Sequence, residues 1–312
     1  MPMNTGVEGG ETAVKLARRW GYDVKGVPEG EAKVLFARNN FWGRTIAAIS
    51  SSTDESSRVG FGPYTPGFDL VPYSDLAALE AKLAGDPHIV AYMVEPIQGE
   101  AGVVVPDAGY MAGVKKLCEK HNVLLIADEV QTGLCRTGKM LACDHDHVKP
   151  DLLVLGKALS GGVLPVSAVL TSHEVMLTIK PGEHGSTYGG NPLACKVAMA
   201  ALDVLKDEEL EKNAEAMGTR LRAGLSALSQ SGSPGAGIMT GVRGKGLLNA
   251  VIVDTADDAD KAMTLCHALK DQGLLAKPTH GNIIRLAPPL CITAAQVDES
   301  LGMFERALKA TS

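Results

Sequence analysis

What this 312-residue chain lacks narrows its function first. No apolar stretch reaches the ~18 residues of a membrane-spanning helix, so no membrane role is expected. Long Lys/Arg runs are absent and the formal charge is -6, which argues against a nucleic-acid surface. The cysteines (Cys118, Cys135, Cys143, Cys195, Cys266 and Cys291) are scattered without framework spacing, so reduced thiols are expected. No metal site is expected either. The run Cys143-Asp144-His145-Asp146-His147 lacks the ligand separation of known zinc sites and a second cluster to complete one, so it reads as a solvated loop. There is no internal repeat, and the first residues form neither a signal peptide nor an amphipathic Arg-rich presequence.

What remains is the composition of a globular protein, 45% apolar and 21% charged, long enough for about two domains. The informative stretch is Leu124–Gly162. Two apolar runs here, Val123–Ala127 and Leu152–Leu155, do not alternate with polar residues, which predicts strands buried on both faces. Asp128 and Glu129 follow the first run and Lys157 the second. In parallel α/β sheets ligands bind beyond the carboxyl ends of the strands. A carboxylate and an amine delivered to that edge therefore predict a site.

The rest of the chain supplies a frame for it. Asn4-Thr5-Gly6-Val7-Glu8-Gly9-Gly10 leads into a helix through about Gly21, with Asn4 or Thr5 as N-cap and Ala13, Leu16, Ala17 and Trp20 on one face. Ala32–Arg38 and Ile89–Val94 read as further strands, the second ending in Glu95-Pro96-Ile97-Gln98-Gly99-Glu100. Ser50–Pro72 reads as loop, and Leu76–Leu83 and Gly109–His121 as helices. Pro165–Leu170 is a strand and Glu174–Ile179 a short helix. The Gly-rich loop 182–192 then opens onto the helices Leu193–Lys206 and Leu210–Leu228. Strand–helix alternation of this kind predicts a mostly parallel sheet with right-handed crossovers. Past a flexible Ser229–Gly237, Gly244–Val253, Leu274–Lys277 and Ile283–Leu286 read as strands, Asp257–Gln272 and Thr293–Leu308 as helices. The expected division is 1–206, an α/β domain, and 207–312, a smaller α+β domain.

Each candidate residue has a plain reading beside the chemical one. Asn4–Gly10 is an ordinary cap or a phosphate cradle, since backbone N–H groups at a helix start attract anions. Phe41 and Trp42 are core plugs or a stacking platform, and Arg44 is a surface charge or an anion clamp. Lys157 is a solvated strand-end lysine, or a desolvated amine reactive toward carbonyls. Asp128 tips the balance. A buried aspartate beside such a lysine matches pyridoxal phosphate, which has an aldehyde for the amine and a ring nitrogen for the carboxylate.

Beyond this, Asn4-Thr5-Gly6, Phe41-Trp42-Gly43-Arg44, Glu95 to Glu100, Ala127 to Gly133, Gly156-Lys157-Ala158-Leu159 and Ser186 to Pro192 together resemble the class III pyridoxal-phosphate aminotransferases. Gly273 to His280 and Ile284 to Pro289 narrow the resemblance to the ornithine aminotransferase branch. It covers essentially the whole chain and implies a fold-type I large domain with a seven-stranded sheet. Lys157 and Asp128 are implied as the catalytic pair, on the cofactor's aldehyde and ring nitrogen respectively. Gly6 and Val7 are implied to bind the phosphate, Phe41 and Val130 to hold the two ring faces, and Gln131 to lie near the ring hydroxyl. Thr187 is implied to reach the phosphate of a neighbouring subunit's cofactor, which makes the expected partner a second copy, in a homodimer or higher homo-oligomer. Arg285 is implied to bind the α-carboxylate of glutamate or 2-oxoglutarate, Glu100 to shield it when ornithine binds, and Arg44 to take the other carboxylate.

The implied reaction moves the δ-amino group of ornithine to a 2-oxo acid, giving glutamate 5-semialdehyde and glutamate, in arginine and ornithine catabolism and proline biosynthesis. Other ω-aminotransferases, acting on acetylornithine or 4-aminobutyrate, are the alternative. The family carries a segment ahead of the phosphate loop that this chain does not have, so an incomplete large domain, and even a non-catalytic product, is a further expectation. The expected compartment is the cytoplasm or the mitochondrial matrix.

Overall fold

A computed structural model describes residues 1–311. The chain divides into two units, each described by itself. The first comprises Met1–Pro96, Pro106–Gly133 and Leu141–Asp203. It is built on a seven-stranded sheet of β1 (Pro2–Met3), β2 (Lys33–Ala37), β3 (Phe68–Val71), β4 (Ile89–Val94), β5 (Leu124–Asp128), β6 (Leu152–Leu155) and β7 (Ser167–Thr171). Their order is β1-β7-β6-β5-β4-β2-β3. Neighbours from β3 through β6 pair in parallel, whereas β7 runs antiparallel to β6 and β1 antiparallel to β7. The mostly parallel sheet expected from the sequence is therefore present.

The absence of polar alternation in β2 and β5 has the predicted cause. Successive side chains on a strand point to opposite faces, and both faces are covered. Val34 and Phe36 of β2, with Leu124 and Ile126 of β5, enter one core that also contains Ala13, Leu16, Ala17 and Trp20 of the helix Gly6–Trp20. Leu35, Ala37, Leu125 and Ala127 enter the other, under the helices Leu76–Gly85 and Tyr110–Lys120. Leu125 and Ile126 are wholly buried, and each contributes about 1.5–3 kcal/mol by leaving water. Parallel pairing also brings the carboxyl ends of β2, β4, β5 and β6 to one edge, where the candidate residues lie.

The second unit comprises Ile97–Val105, Leu134–Met140 and Val204–Ser312. Its sheet is antiparallel, in the order β10-β11-β9-β8, from β8 (Met239–Lys245), β9 (Leu248–Val253), β10 (Lys277–Thr279) and β11 (Ile283–Leu286). The helices Leu210–Leu228, Lys261–Asp271 and Ala294–Thr311 supply Leu221, Leu265, Phe304 and their neighbours to its core. A single cut after residue 206 does not describe this division, because 97–105 and 134–140 group with the C-terminal part of the chain.

Four local expectations need correction. Ser50–Pro72 is not all loop: it holds a helical turn, Glu55–Arg58, and the edge strand β3. In β3 only Val71 is buried, so its pairing with β2 had no apolar run to announce it. Gly244–Val253 is the turn and second arm of a hairpin, reversing at Gly246 (φ 53°), rather than one strand. The strand expected at Leu274–Lys277 lies at Lys277–Thr279, set by pairing with β11. The solvated loop expected at Cys143–His147 belongs to a 3-10 turn, Ala142–Asp146, with Ala142 and Cys143 buried.

Candidate active site

The helix Gly6–Trp20 begins with a capping box. Thr5 is the N-cap, its Oγ1 accepting from Glu8 N, while Glu8 Oε2 accepts from the backbone N–H groups of Thr5 (2.7 Å) and Asn4 (3.0 Å). Burial opposes the charge on Glu8, but the donors from Asn4 and Thr5 win and hold its carboxyl below the usual range. The box fixes the helix start while the N–H groups of Gly6 and Val7, lying in the first turn, have no intrahelical acceptor. These N–H groups stand at the positive end of the helix dipole. Gly6 is required here. A Cβ on it would stand 2.7 Å from Cγ1 and 3.2 Å from Cγ2 of Val130.

Gly6, Val7, Phe41, Glu95, Asp128, Val130, Gln131 and Lys157 line one cavity of about 210 Å³, with Trp42 and Gly43 at its wall. The structure thus brings together seven residues named from the sequence, from four separate strand ends or helix starts. Of the two aromatics, Trp42 is the core plug. It is buried, stacks on Phe36 and donates from Nε1 to Ser51 Oγ at 2.8 Å, and a Cβ at Gly10 would press on its ring. Phe41 is half-buried, and its backbone N–H donates to Glu95 Oε1 at 3.0 Å. Arg44 is exposed, with its guanidinium 5.6 Å from the Phe41 ring centre.

Two adjacent carboxylates at the end of β5 have different work. Glu129 is satisfied by the protein. Its Oε2 accepts from Thr132 Oγ1 (2.5 Å) and Ala142 N (3.0 Å), its Oε1 from Cys143 N (2.8 Å). Burial raises its carboxyl above the usual range against those donors. Asp128 faces the cavity. Its Oδ1 accepts from Val130 N at 3.0 Å, and Oδ2 makes no hydrogen bond among the described residues. Burial pushes its carboxyl up to about 6, although the Val130 N–H and the Lys157 charge pull it down. Lys157 opens a short 3-10 turn after Gly156 with φ 39°, a left-handed conformation costly for a side chain of this kind. It is exposed, so the buried amine expected from the sequence is not what the chain presents.

Thr187 lies outside this cavity, exposed in the loop 182–192. Its neighbour Ser186 is tied to the helix start, Asn4 Nδ2 donating to Ser186 Oγ at 3.0 Å. Glu100 and Arg285 belong to the second unit, where they form an ion pair of 2.8 Å. Two residues gained significance only from the structure. Glu95 was visible as a carboxylate at a strand end, but its hold on Phe41 was not. His184 carried no signal beyond its place in a Gly-rich loop. Among the described residues no group of three or more His, Cys, Asp or Glu side chains is placed to hold a metal ion.

The family model for class III aminotransferases matches residues 1–308. Over 308 residues the chain is 59% identical to the mitochondrial ornithine aminotransferase of Rattus norvegicus, a match spanning 99% of this chain and 68% of that protein. The crystal structure of an ornithine aminotransferase from Toxoplasma gondii superposes with a TM-score of 0.95 at 50% identity, covering 99% of this chain and 72% of the other. An acetylornithine aminotransferase from Elizabethkingia anophelis superposes with a TM-score of 0.87 at 52% identity, covering 99% and 73%. The match extends over nearly the whole chain, and this chain belongs to the class III aminotransferases.

Proposed function

We propose that the chain is an ornithine δ-aminotransferase that uses pyridoxal 5'-phosphate to move the δ-amino group of L-ornithine onto 2-oxoglutarate. The observation that carries this reading is the convergence of Lys157, Asp128 and the unengaged N–H groups of Gly6 and Val7 on one cavity, in a chain 59% identical to an ornithine aminotransferase. The cavity suits the cofactor. A buried carboxylate with one oxygen unpartnered matches a cationic ring N–H, and Gly6 leaves room at the helix start that a Cβ would fill.

When bound, pyridoxal phosphate supplies an aldehyde carbon that captures amines and a protonated ring that withdraws electrons from the carbon losing its proton. The protein does the rest. Gly6 and Val7 grip the phosphate through backbone N–H groups. Asp128 would keep the proton on the ring nitrogen, Phe41 and Val130 would hold the ring, and Gln131 would bind its hydroxyl. Lys157 would hold the aldehyde between turnovers, and its Nζ would take the proton from the amine-bearing substrate carbon and return it to the carbon of the former aldehyde. Arg285 receives a carboxylate in bidentate fashion, a task for which guanidinium is built, and Arg44 receives the second carboxylate of the diacid. With Glu100 paired to it, Arg285 is not offered to ornithine's α-carboxylate, which favours presentation of the δ-amine. Thr187 completes the phosphate site of a neighbouring copy in a homodimer. The mitochondrial matrix or the cytoplasm is the proposed compartment.

The test is direct. The purified chain with cofactor is expected to be yellow, and borohydride should bleach it while fixing a pyridoxyl group covalently to the peptide that contains Lys157. Turnover of ornithine by a Lys157→Ala variant would sink the reading. Acetylornithine is the second reading, favoured by the likeness to the Elizabethkingia anophelis enzyme. A panel of ornithine, acetylornithine and 4-aminobutyrate as amino donors decides between them, with ornithine expected to be the best.

A further inference from the structure

The loop 182–192 touches the phosphate-helix at two heights. Near the helix start, Ser186 Oγ accepts from Asn4 Nδ2 at 3.0 Å, and the same hydroxyl oxygen accepts from Gly189 N at 3.0 Å. About two to three turns further along, His184 lies between Thr12 and Lys15. Its Nε2 is 2.8 Å from Thr12 Oγ1, and its Nδ1 is 3.0 Å from Lys15 Nζ. Lys15 Nζ also donates to Glu183 O at 3.1 Å.

These contacts assign the protonation state of the imidazole twice over. A threonine hydroxyl has one proton to donate, and that of Thr12 goes to Glu8 O at 2.7 Å. Thr12 Oγ1 is therefore an acceptor toward His184, and Nε2 must carry the hydrogen. An ammonium is only a donor, so Nδ1, facing Lys15, must be a bare lone pair. Thr12 and Lys15 thus together require a neutral imidazole in its Nε2–H tautomer. A second proton could go only on Nδ1, where it would point an N–H at a lysine ammonium and abolish that hydrogen bond.

We propose that His184 is a positioning residue, a neutral clasp that holds the loop 182–192 along the helix Gly6–Trp20, and that its protonation releases the loop. The charged groups facing it are few. From the helix come Lys15, which opposes protonation, and Glu11, which favours it but is occupied by Thr45 Oγ1 at 2.5 Å. From its own loop comes Glu183, whose carboxylate is turned to Arg19 at 3.4 Å. Burial first, and Lys15 next, hold the imidazole below its ordinary 6.5. The sign follows: the unfolded or released imidazole takes its proton first, so the clasp is fully present above pH 6.5 and is lost as pH falls below it. The clasp matters because the loop bears Thr187 and braces Asn4 at the phosphate end of the helix. That consequence rests on the proposed reading of this helix start as the phosphate site.

The experiment compares the cofactor-loaded chain with two variants between pH 5 and 8, by hydrogen exchange of peptides spanning 182–192, corrected for intrinsic rates. In His184→Gln the amide N–H donates to Thr12 and the amide oxygen accepts from Lys15, with nothing to titrate. Lys15→Met removes the opposing charge and leaves the imidazole. Loop protection is expected to fall by up to about tenfold per pH unit below pH 6.5 in the parent chain, levelling off once the clasped imidazole itself takes its proton. It is expected to stay flat in His184→Gln, and to fall by a smaller total factor over a narrower pH range in Lys15→Met. Equal pH dependence in the parent and His184→Gln, or a larger total fall in Lys15→Met than in the parent, overturns the clasp. Equilibrium dialysis against pyridoxal 5'-phosphate on the same samples separates the two readings. If the loop opens with acid in the parent alone but affinity tracks that of His184→Gln, the clasp stands and the phosphate assignment fails.

Discussion

Asp128→Asn separates the stability of the chain from its grip on cofactor. The carboxyl of Asp128 titrates at about 6 in the folded chain against an ordinary 3.8, because burial disfavours its charge. A raised carboxyl binds its proton more tightly folded than unfolded, so its favourable contribution is complete below pH 4 and is lost as pH rises through 6. A rise of about two units at ~1.4 kcal/mol each puts the cost of the ionised form near 3 kcal/mol at pH 8. Asparagine keeps the Oδ1 acceptor for Val130 N and carries no charge to desolvate. Cofactor-free Asp128→Asn should therefore be up to about 3 kcal/mol more stable than the parent at pH 8, with the gap closing between pH 6 and 4.

Cofactor narrows that gap. The variant loses a charge-assisted hydrogen bond worth roughly 1.5–3 kcal/mol, which weakens pyridoxal phosphate binding about 10- to 150-fold. Urea unfolding of the cofactor-free proteins at pH 4, 6 and 8, with equilibrium dialysis of the cofactor at pH 8, reads both effects. Equal stability at pH 8, or a gap that persists at pH 4, would show that the carboxylate is not held under strain. Unchanged cofactor affinity would remove it from the ring nitrogen.

Gly6→Ala places a methyl group 2.7 Å from Val130 Cγ1, an overpacking that should destabilise the chain by about 1–3 kcal/mol. Adding Val130→Ala should recover most of it, as a double-mutant cycle in urea would show. Glu129→Gln swaps an acceptor-only carboxylate for a group with two donors, facing the N–H groups of Ala142 and Cys143 and the Thr132 hydroxyl. It should cost about 1–3 kcal/mol without touching cofactor affinity, unlike Asp128→Asn. A loss of affinity that exceeds the loss of stability would put Glu129 in the site itself.

Much of the fold was legible because its strongest elements are locally consistent. β4 and β5 are unbroken apolar runs of the length of one strand, and the helix Gly6–Trp20 carries its cap and apolar face in the sequence. The missed pieces are those whose structure is dictated from outside. β1 is two residues long and exists because Met3 and Pro2 lie against Ser167 and Ala168 of β7. β3 exists because β2 offers an edge. The hairpin of β8 and β9 hid because its reversal at Gly246, with positive φ, runs directly into the apolar residues Leu247 and Leu248. The grouping of 97–105 with the C-terminal part is likewise a contact at long range, with Ile97 and Val103 packed on Leu248, Ala250 and Ile283.

The site divides along the same line. Which residue types gather at the sheet edge was legible, since Asp128 and Lys157 violate the apolar pattern at the ends of their own strands. What each does with its neighbours was not. Phe41 and Trp42 are equivalent as letters. Only the approach of Gly10 to the Trp42 ring, and the reach of Glu95 to the Phe41 backbone, send one into the core and leave the other at the cavity. Asp128 and Glu129 are equally acidic and equally buried, and the distinction between them is an inventory of donors. Glu129 receives hydrogen bonds from Thr132, Ala142 and Cys143, so its charge is spent inside the protein. Asp128 receives one, so a carboxyl poised near 6 keeps an unpartnered oxygen, and a cation in the cavity is what would complete it.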